Sequence, residues 1–325
     1  MSQKIRLFIG WILLLILSSV ALAAQTGQGL QHPHGEYLNI LGKKIWYESA
    51  GTGPPLLLIA GAGGSHDYFH PYFDQLSHSF RVIYYDGFGR GNSERAKSPS
   101  EYSFQHDLDE IEALRQTLHL GKIIVYGHSY GGFVAQGYAL KYPDSVSKLI
   151  VSNIFTCAAD YQASEDHDNE QTREFFPELW QRIVELRSRG LLSNAPEIQQ
   201  ASAEFFVPTL ELLYFYNPQS AQLLVPLFNE HNFNAEEWYT MVGPDGDFTV
   251  GGDIGKLDFR PQLSSIKVPF LVIAGRRDGV VLPRLSTQFK KYAPQAKFVM
   301  FEHSGHYPFI EENQQFIKTM EDFLK

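Results

Sequence analysis

The sequence predicts an α/β fold: a mostly parallel eight-stranded sheet with helices on both faces and an inserted, mostly helical cap. Three observations predict it. Short apolar runs alternate with helical segments, the runs are joined by connections too long for hairpins, and the alternation stops between residues 153 and 261 before it resumes. Long connections join parallel strands and place helices over both faces of a sheet.

The N-terminal segment predicts a secretory signal peptide over residues 1–23. Lys4 and Arg6 form a basic start, residues 8–17 are almost wholly apolar, and the small residues that follow predict cleavage after Ala23. We therefore expect an exported protein, periplasmic or secreted, with no stable membrane association after cleavage. An uncleaved membrane anchor is the alternative, although the apolar run is short for a span.

Eight strands are predicted from the apolar runs that follow. The first two flank Leu41-Gly42-Lys43 and predict an antiparallel hairpin. The later runs are mostly continuous and apolar, which is typical of buried parallel strands. The predicted strands cover residues 37–40, 44–48, 56–60, 81–85, 122–126, 148–152, 270–274 and 297–301, and the main predicted helices of the core cover 109–118, 132–140 and 313–324.

This pattern divides the mature chain into a core, residues 24–153 and 262–325, and a cap, residues 154–261. Within the cap, helical stretches such as 178–186 replace the alternation. We expect the cap to lie above the carboxyl ends of the strands, where open α/β sheets bind ligands. Its acid-rich segment 160–178 predicts a solvated loop or helix face or, alternatively, an acidic rim that attracts amines.

Composition and charge argue against several classes of function. The net charge is −9, whereas a nucleic-acid partner requires a basic face, so we expect none. Cys157 is the single cysteine, which leaves no internal disulfide and no paired thiol nucleophile. We expect no metal site and no cofactor, because His32 and His34 lie close together but in a proline-containing tail, and no Cys/His or His-Glu-x-x-His spacing is present.

The segment Gly127-His128-Ser129-Tyr130-Gly131 has the Gly-x-Ser-x-Gly pattern of a nucleophile elbow. A predicted strand precedes it and a predicted helix follows, which is the context that this sharp turn requires. Side chains at the flanking glycines would collide with the neighbouring strand and helix. We therefore predict that Ser129 is a catalytic nucleophile; the alternative is a glycine-rich turn with an idle serine.

A serine nucleophile needs a base, and the base needs an acid that fixes its tautomer. Asp278 follows the strand that ends at residue 274, and His306 follows the last strand, so the order Ser, Asp, His is present. We predict these two as the acid and the base. Asp258 and His303 are their rivals.

The oxyanion hole is predicted to use two backbone N–H groups. One belongs to Tyr130, the residue after the nucleophile, and the other comes from the loop after the third strand, with Gly61 preferred and Ala62 the alternative. Small residues there let the backbone approach the substrate. The second glycine-rich loop, residues 86–93, lacks the Gly-Lys-Ser/Thr of a phosphate loop and is expected to shape the pocket floor.

Together these motifs resemble those of the α/β-hydrolase superfamily over nearly all of the mature chain. Within it the chain is similar to the proline iminopeptidases, or prolyl aminopeptidases, at residues 64–68, 82–93, 129–132 and 243–248. The resemblance implies the α/β-hydrolase fold. The chain departs from the proline iminopeptidases at residues 59–63, where that family usually carries His-Gly-Gly-Pro-Gly.

The resemblance also implies that cap carboxylates hold the free amine of the substrate. Asp247 falls where the family has one such acid, shortened from Glu. Gln200 stands where another is expected, and Glu204, one helical turn further on, is the substitute. Asp247 and Glu204 are therefore the predicted substrate-binding residues.

The predicted function is that of a serine hydrolase that forms an acyl-enzyme. We expect an aminopeptidase that releases N-terminal residues, proline among them, from short peptides. A carboxylesterase or amidase on small esters or amides is the alternative, and a catalytically silent fold that binds a ligand is a more remote one. The expected partner is accordingly a small molecule or a short peptide.

Overall fold

A computed structural model describes residues 35–229 and 231–325. The predicted signal peptide and its cleavage point lie outside these residues. In the part of the chain that is described, none of the helices combines the length and the apolar character needed to cross a bilayer.

The sheet has eight strands in the spatial order β1-β2-β4-β3-β5-β6-β7-β8. The strands are β1 (Glu36–Ile40), β2 (Lys43–Ala50), β3 (Pro55–Ile59), β4 (Arg81–Asp86), β5 (Ile123–His128), β6 (Val146–Ser152), β7 (Phe270–Gly275) and β8 (Lys297–Phe301). Strand β2 pairs antiparallel with both β1 and β4, and the remaining neighbours are parallel. The predicted eight-stranded, mostly parallel sheet is confirmed.

The central strands are apolar throughout because both of their faces are covered. In β3, Leu57 and Ile59 pack into one hydrophobic cluster and Leu56 and Leu58 into another. Successive side chains of a strand point to opposite faces, so the two clusters are the two covered sides of the sheet. All six residues of β5 are buried in the same way.

Helices cover both faces, and the structure revises some of their predicted ends. The α-helices are α1 (Phe104–Thr117), α2 (Tyr130–Lys141), α3 (Ala158–Phe175), α4 (Pro177–Ser188), α5 (Pro196–Ala203), α6 (Phe206–Thr209), α7 (Ala221–Leu224), α8 (Ala235–Val242), α9 (Pro283–Ser286), α10 (Phe289–Tyr292), α11 (Pro308–Glu311) and α12 (Asn313–Leu324). A π-helix covers Leu210–Tyr214, and 3₁₀ helices cover His66–Phe69, Asp74–His78, Pro99–Glu101, Pro143–Ser145, Pro218–Ser220, Val225–Leu227, Ile254–Lys256 and Leu263–Ser265.

Helix α1 begins five residues before the predicted start at 109. The Ser103 hydroxyl accepts a hydrogen bond from the N–H of His106 and caps the helix, a local signal that apolar spacing alone does not register. Helix α12 has the predicted bounds, because its apolar residues recur with helical spacing and bury one face.

Between β6 and β7 the described residues form helices and loops, and their strand pairing is limited to two isolated bridges. One pairs Phe233 with Gly64, and the other joins Cys157 to Asp258, at the entry and exit of the predicted cap segment. The bonds Ala158 N–H to Leu257 O and Phe259 N–H to Thr156 O flank it. The insert therefore leaves and rejoins the core at one point beside β6.

Candidate active site

The turn after β5 places Ser129 in a conformation that side chains rarely adopt, with φ 53° and ψ −129°. Such strain persists only where the surrounding packing imposes it. A Cβ on Gly127 would lie 2.1 Å from the Gly131 carbonyl oxygen, and one on Gly131 would lie 2.2 Å from that of Ile59. The glycine positions thus allow strand, turn and helix α2 to pack without gaps beneath Ser129.

The His306 imidazole is held by Asp278. Its Nδ1 lies 3.0 Å and 3.2 Å from the two carboxylate oxygens, and both side chains are buried. Asp278 Oδ1 also accepts the N–H groups of Val280 and Val281, at 2.9 Å and 2.8 Å. Because these bonds orient the carboxylate, they fix the orientation of the ring and direct its Nε2 away from Asp278.

Asn153 also binds Asp278, a contact that the sequence alone did not predict. Its amide Nδ2 donates to Asp278 Oδ2 at 2.8 Å and to the Gly305 carbonyl at 3.2 Å. The residue is buried, with φ 53°. The signal was an asparagine directly after a parallel strand, a position at which side chains reach the ligand-binding edge of the sheet.

A cavity of about 700 Å³ brings Ser129 and His306 to one surface. This volume is ordinary for a small-molecule site. In the described part of the chain the Ser129 hydroxyl makes no hydrogen bond within the protein. Bonds of this type often close only when substrate is bound, so the hydroxyl is available to both the base and a ligand.

The rival residues lie elsewhere. Asp258 binds its neighbour Arg260, with a side chain that is 42% exposed, and His303 is exposed beside Tyr216. Cys157 is buried, and burial raises the pKa of its thiol, which disfavours the nucleophilic thiolate.

The cavity joins an apolar wall to a small set of acids. Aromatic and aliphatic side chains from core and cap form most of its lining, among them Phe133, Ile154, Phe155, Tyr161, Phe206, Trp238 and Val281. Glu165, Asp168 and Asp247 are the acidic lining residues, and the described lining includes no lysine or arginine. The site therefore carries three carboxyl groups and no permanent cation.

The predicted oxyanion loop is more complex than expected. The N–H of Gly61 donates to the Tyr68 hydroxyl oxygen, and that oxygen lies 3.3 Å from His128 Nδ1. His128 Nε2 lies 2.8 Å from the His306 carbonyl oxygen, so Nε2 carries the proton and Nδ1 is the acceptor. Burial lowers the pKa of His128 well below its usual value, and the ring is neutral.

These bonds change the assignment of the second oxyanion donor. The preferred donor, the N–H of Gly61, is occupied by the Tyr68 phenol, whose own O–H is directed to His128. Ala62, the alternative, also lines the cavity, and within the described residues its N–H has no acceptor. Tyr130 begins helix α2, where the first N–H groups have no helical partner.

Comparison with known proteins places this geometry in a family. Residues 54–313 match the family model described as alpha/beta hydrolase fold. The chain belongs to the α/β-hydrolase family. It is a hydrolase, and its likeness to the proline iminopeptidases is confirmed.

Two curated relatives and one solved structure illustrate that likeness. The chain is 32% identical to a proline iminopeptidase of Saccharolobus solfataricus, over 89% of this chain and 91% of the relative. It is 27% identical to one of Heyndrickxia coagulans, over 89% and 97%. The crystal structure of a Mycobacterium smegmatis proline iminopeptidase superposes with a TM-score of 0.70, at 22% identity over 89% and 97% of the two chains.

In this α/β-hydrolase the second glycine-rich loop supports the elbow from below. Arg90, which is buried, donates to Asp107 at 2.9 Å and 3.2 Å and to Glu237 of helix α8 at 2.6 Å. The Tyr130 hydroxyl donates to Asp107 at 2.6 Å. One buried ion cluster therefore links the loop 86–93, the residue after Ser129 and a cap helix.

The acids of the cavity perturb one another. Burial, followed by the charge of Asp247, raises the pKa of Glu165 to about 8. Burial, followed by Glu165, Asp278 and Asp247, raises the pKa of Asp168 well above its usual range. The pKa of Asp247 is also raised by burial, although the Tyr239 hydroxyl donates to its carboxylate at 3.0 Å. Raised pKa values of this kind are typical of carboxyl groups that are desolvated close to one another.

The structure separates the two predicted substrate-binding acids. Asp247 lines the cavity. Glu204 does not: its side chain is 60% exposed and lies 3.3 Å from Arg182. The assignment of Glu204 to the site therefore does not fit the structure, because the short helix α5 ends before it and directs it to solvent.

Glu165 and Asp168 occupy the site instead. Both belong to helix α3, within the acid-rich segment 160–178, and both line the cavity. Asp166 and Glu170 on the same helix are exposed. The clue was the helical spacing of three between residues 165 and 168, which places both carboxyl groups on one face.

The raised pKa of Glu165 predicts a pH-dependent stability. Its pKa is about 8 in the folded protein against 4.5 ordinarily, so the folded state binds more protons between these values. The free energy of unfolding should therefore fall as the pH rises from about 4.5 to about 8. In Glu165→Gln this loss should be smaller, as measured by urea unfolding at pH 5 and pH 8.

Glu170→Gln is the matched control, since Glu170 is exposed on the same helix. It should follow the wild-type protein at both pH values. Identical pH dependence of the wild-type protein and Glu165→Gln would contradict the raised pKa of the Glu165 carboxyl group.

Proposed function

We propose that this hydrolase is a serine aminopeptidase that releases an N-terminal residue, proline among them, from short peptides. One observation carries the proposal: a largely apolar cavity holds Ser129, His306 and three carboxyl groups, with no lysine or arginine in its described lining. Such a site suits a substrate with an apolar body and a positive end beside the reacting carbonyl.

The proposed chemistry is acyl transfer through Ser129. Its hydroxyl oxygen attacks the carbonyl carbon while His306 Nε2 takes the proton, and Asp278 stabilises the imidazolium that forms. The C–N bond then breaks, His306 gives the proton to the leaving amine, and the shortened peptide departs. Water, deprotonated by His306, attacks the ester, and the amino acid leaves as Ser129 regains its proton.

Charge that develops on the carbonyl oxygen needs donors in the cavity. Tyr130 N–H supplies one in the proposal. Ala62 N–H supplies the second while the Tyr68 phenol occupies the N–H of Gly61. Loss of one such donor typically costs about 2.7–4 kcal/mol of transition-state stabilisation, so the identity of the second donor bears directly on rate.

The carboxyl groups supply the specificity of the proposed reaction. Asp168 lines the same cavity as Ser129, so an ammonium bound at Asp168 would share that cavity with the reacting carbonyl. Asp168 Oδ1 is buried without a hydrogen-bond partner among the described residues. A charged amine would satisfy this oxygen and favour the ionised form of all three acids.

Proline as the released residue rests on the relatives and on the cavity wall. The two curated relatives are named proline iminopeptidases. Phe155, Trp238 and Val281 offer apolar surface to a compact ring, and a secondary ammonium still donates two hydrogen bonds. Both features favour an N-terminal proline over a long polar residue.

Ser129→Ala should abolish hydrolysis of proline p-nitroanilide, because no other nucleophile faces the carbonyl in the proposal. A fluorophosphonate probe should add covalently to the wild-type protein at Ser129, as located by peptide mass spectrometry, and should not label the variant. Ser188→Ala, an exposed serine of α4, is the control and should be labelled and active like the wild-type protein. Undiminished turnover by Ser129→Ala would refute the nucleophile.

Acetylation of the substrate amine tests the carboxylate site. We expect kcat/KM for N-acetyl-proline p-nitroanilide to be about 10- to 100-fold lower than for the free amine, since a hydrogen bond between charged groups contributes about 1.5–3 kcal/mol. Asp168→Asn should bring the kcat/KM values of the free and acetylated substrates closer together. The ratio of these two values is informative, because any effect of Asp168 on Asp278 changes kcat/KM for both substrates alike.

Glu204→Gln is the matched control for a cap carboxylate outside the cavity, and it should leave the ratio unchanged. Equal cleavage of the free and acetylated substrates by the wild-type protein would support the carboxylesterase or amidase alternative. Labelling of Ser129 without turnover of any amide or ester would support the silent ligand-binding fold.

We also propose that the protein is exported, periplasmic or secreted, on the strength of the N-terminal sequence. Expression of the full chain in a bacterial host should yield a mature protein that begins at Ala24, as read by N-terminal sequencing. Recovery of uncleaved chain from the membrane fraction would favour the anchor instead.

A further inference from the structure

A second group of chemically competent side chains lies outside the cavity. Glu48 of β2 meets His66 and His70, which begin and follow the 3₁₀ helix His66–Phe69. All three residues are buried. None of them lines the cavity that contains Ser129, and the proposed reaction uses none of them.

Each imidazole in this group is oriented by a carboxylate at its Nδ1. His66 Nδ1 lies 2.8 Å from Asp86 Oδ1, and His70 Nδ1 lies 2.7 Å from Asp74 Oδ1. Aromatic contacts also fix the rings: His66 lies tilted against Trp46 at 4.1 Å, and His70 stacks on Tyr84 at 4.0 Å between centroids. Carboxylates at the far nitrogen are the usual outer partners of metal-binding histidines.

Ligand atoms of the three residues lie close together. One ring nitrogen of each histidine and a carboxylate oxygen of Glu48 lie within 4.8 Å of one another, and His70 Nε2 is 2.7 Å from Glu48 Oε1. Asp67 Oδ1 lies 3.2 Å from His66 Nε2. Neighbouring ligand atoms around a tetrahedral zinc ion are roughly 3.3 Å apart, so small side-chain shifts bring these atoms to metal-binding separation.

The group is rich in acceptors for a cation. Four carboxyl groups, those of Glu48, Asp67, Asp74 and Asp86, contact the two imidazoles. A metal ion binds neutral imidazole, so a divalent ion at this place would replace two imidazolium protons and leave the charge of the group unchanged.

We propose that Glu48, His66 and His70 form a binding site for a divalent transition-metal ion such as Zn²⁺, with Asp86 and Asp74 orienting the two histidines. Two imidazole nitrogens and one carboxylate oxygen are donors that suit Zn²⁺. Sequence spacing predicts no metal site here because the three residues come from β2 and from a separate loop, far apart in the chain. The ion would tie the loop that follows β3 to strand β2.

The test uses the full chain, stripped of metal with a chelator and then given Zn²⁺. We expect one Zn²⁺ per chain by elemental analysis after dialysis, a higher unfolding temperature with Zn²⁺ than without it, and visible absorption bands of four- or five-coordinate Co²⁺ when Co²⁺ replaces it. His70→Gln and Glu48→Gln should each weaken Zn²⁺ binding at least 100-fold in chelator competition.

His303→Gln is the matched control, since His303 is an exposed histidine outside the group, and it should bind Zn²⁺ as the wild-type protein does. The proposal is overturned if the wild-type protein shows no Zn²⁺ binding and no Zn²⁺-dependent stabilisation, or if both ligand variants bind as tightly as it does. The first result would leave the group as an ion-paired cluster. Chelator competition on the wild-type protein tests Zn²⁺ binding even if a variant fails to fold.

Discussion

The strained backbone of Ser129 is the constraint on which the candidate site depends. A positive φ at a serine is unfavourable, and the packing of β5, β3 and α2 maintains it. Contacts of about 2 Å from any added Cβ leave no room for side chains at Gly127 and Gly131. Because the sheet and the helix hold this turn, Ser129 lines the cavity together with His306, which the loops after β7 and β8 bring into contact with Asp278.

Buried charge then organises the rest of the cavity. Below the elbow, Arg90 forms ion pairs with both Asp107 and Glu237 and so ties a cap helix to the core. Above it, Glu165, Asp168 and Asp247 have no such cation in the described lining, and burial raises the pKa of each. Carboxyl groups with raised pKa values favour a positively charged ligand, because a nearby cation stabilises their ionised form. This preference agrees with the amine of the proposed substrate.

Most of the fold was predictable from local pattern. The strands were found because buried parallel strands are continuous apolar runs, and the family likeness because its motifs are short and contiguous. The predicted start of helix α1 is five residues late, although Ser103 caps the helix and Phe104 and Leu108 already have helical spacing. In the site, the Ser, Asp and His order identified three positions, but Asn153, Tyr68 and Glu165 act through contacts with residues distant in the chain, which spacing does not reveal.

The sequence by itself determined the order of strands and helices, the elbow and its family, because these depend on neighbours in the chain. Tertiary structure decided which acids face the cavity, since helix α3 turns Glu165 and Asp168 inward and the end of α5 leaves Glu204 in solvent. It also decided that the phenol of Tyr68 takes the N–H of Gly61. Such choices depend on how separate segments pack, and packing is a property of the folded chain.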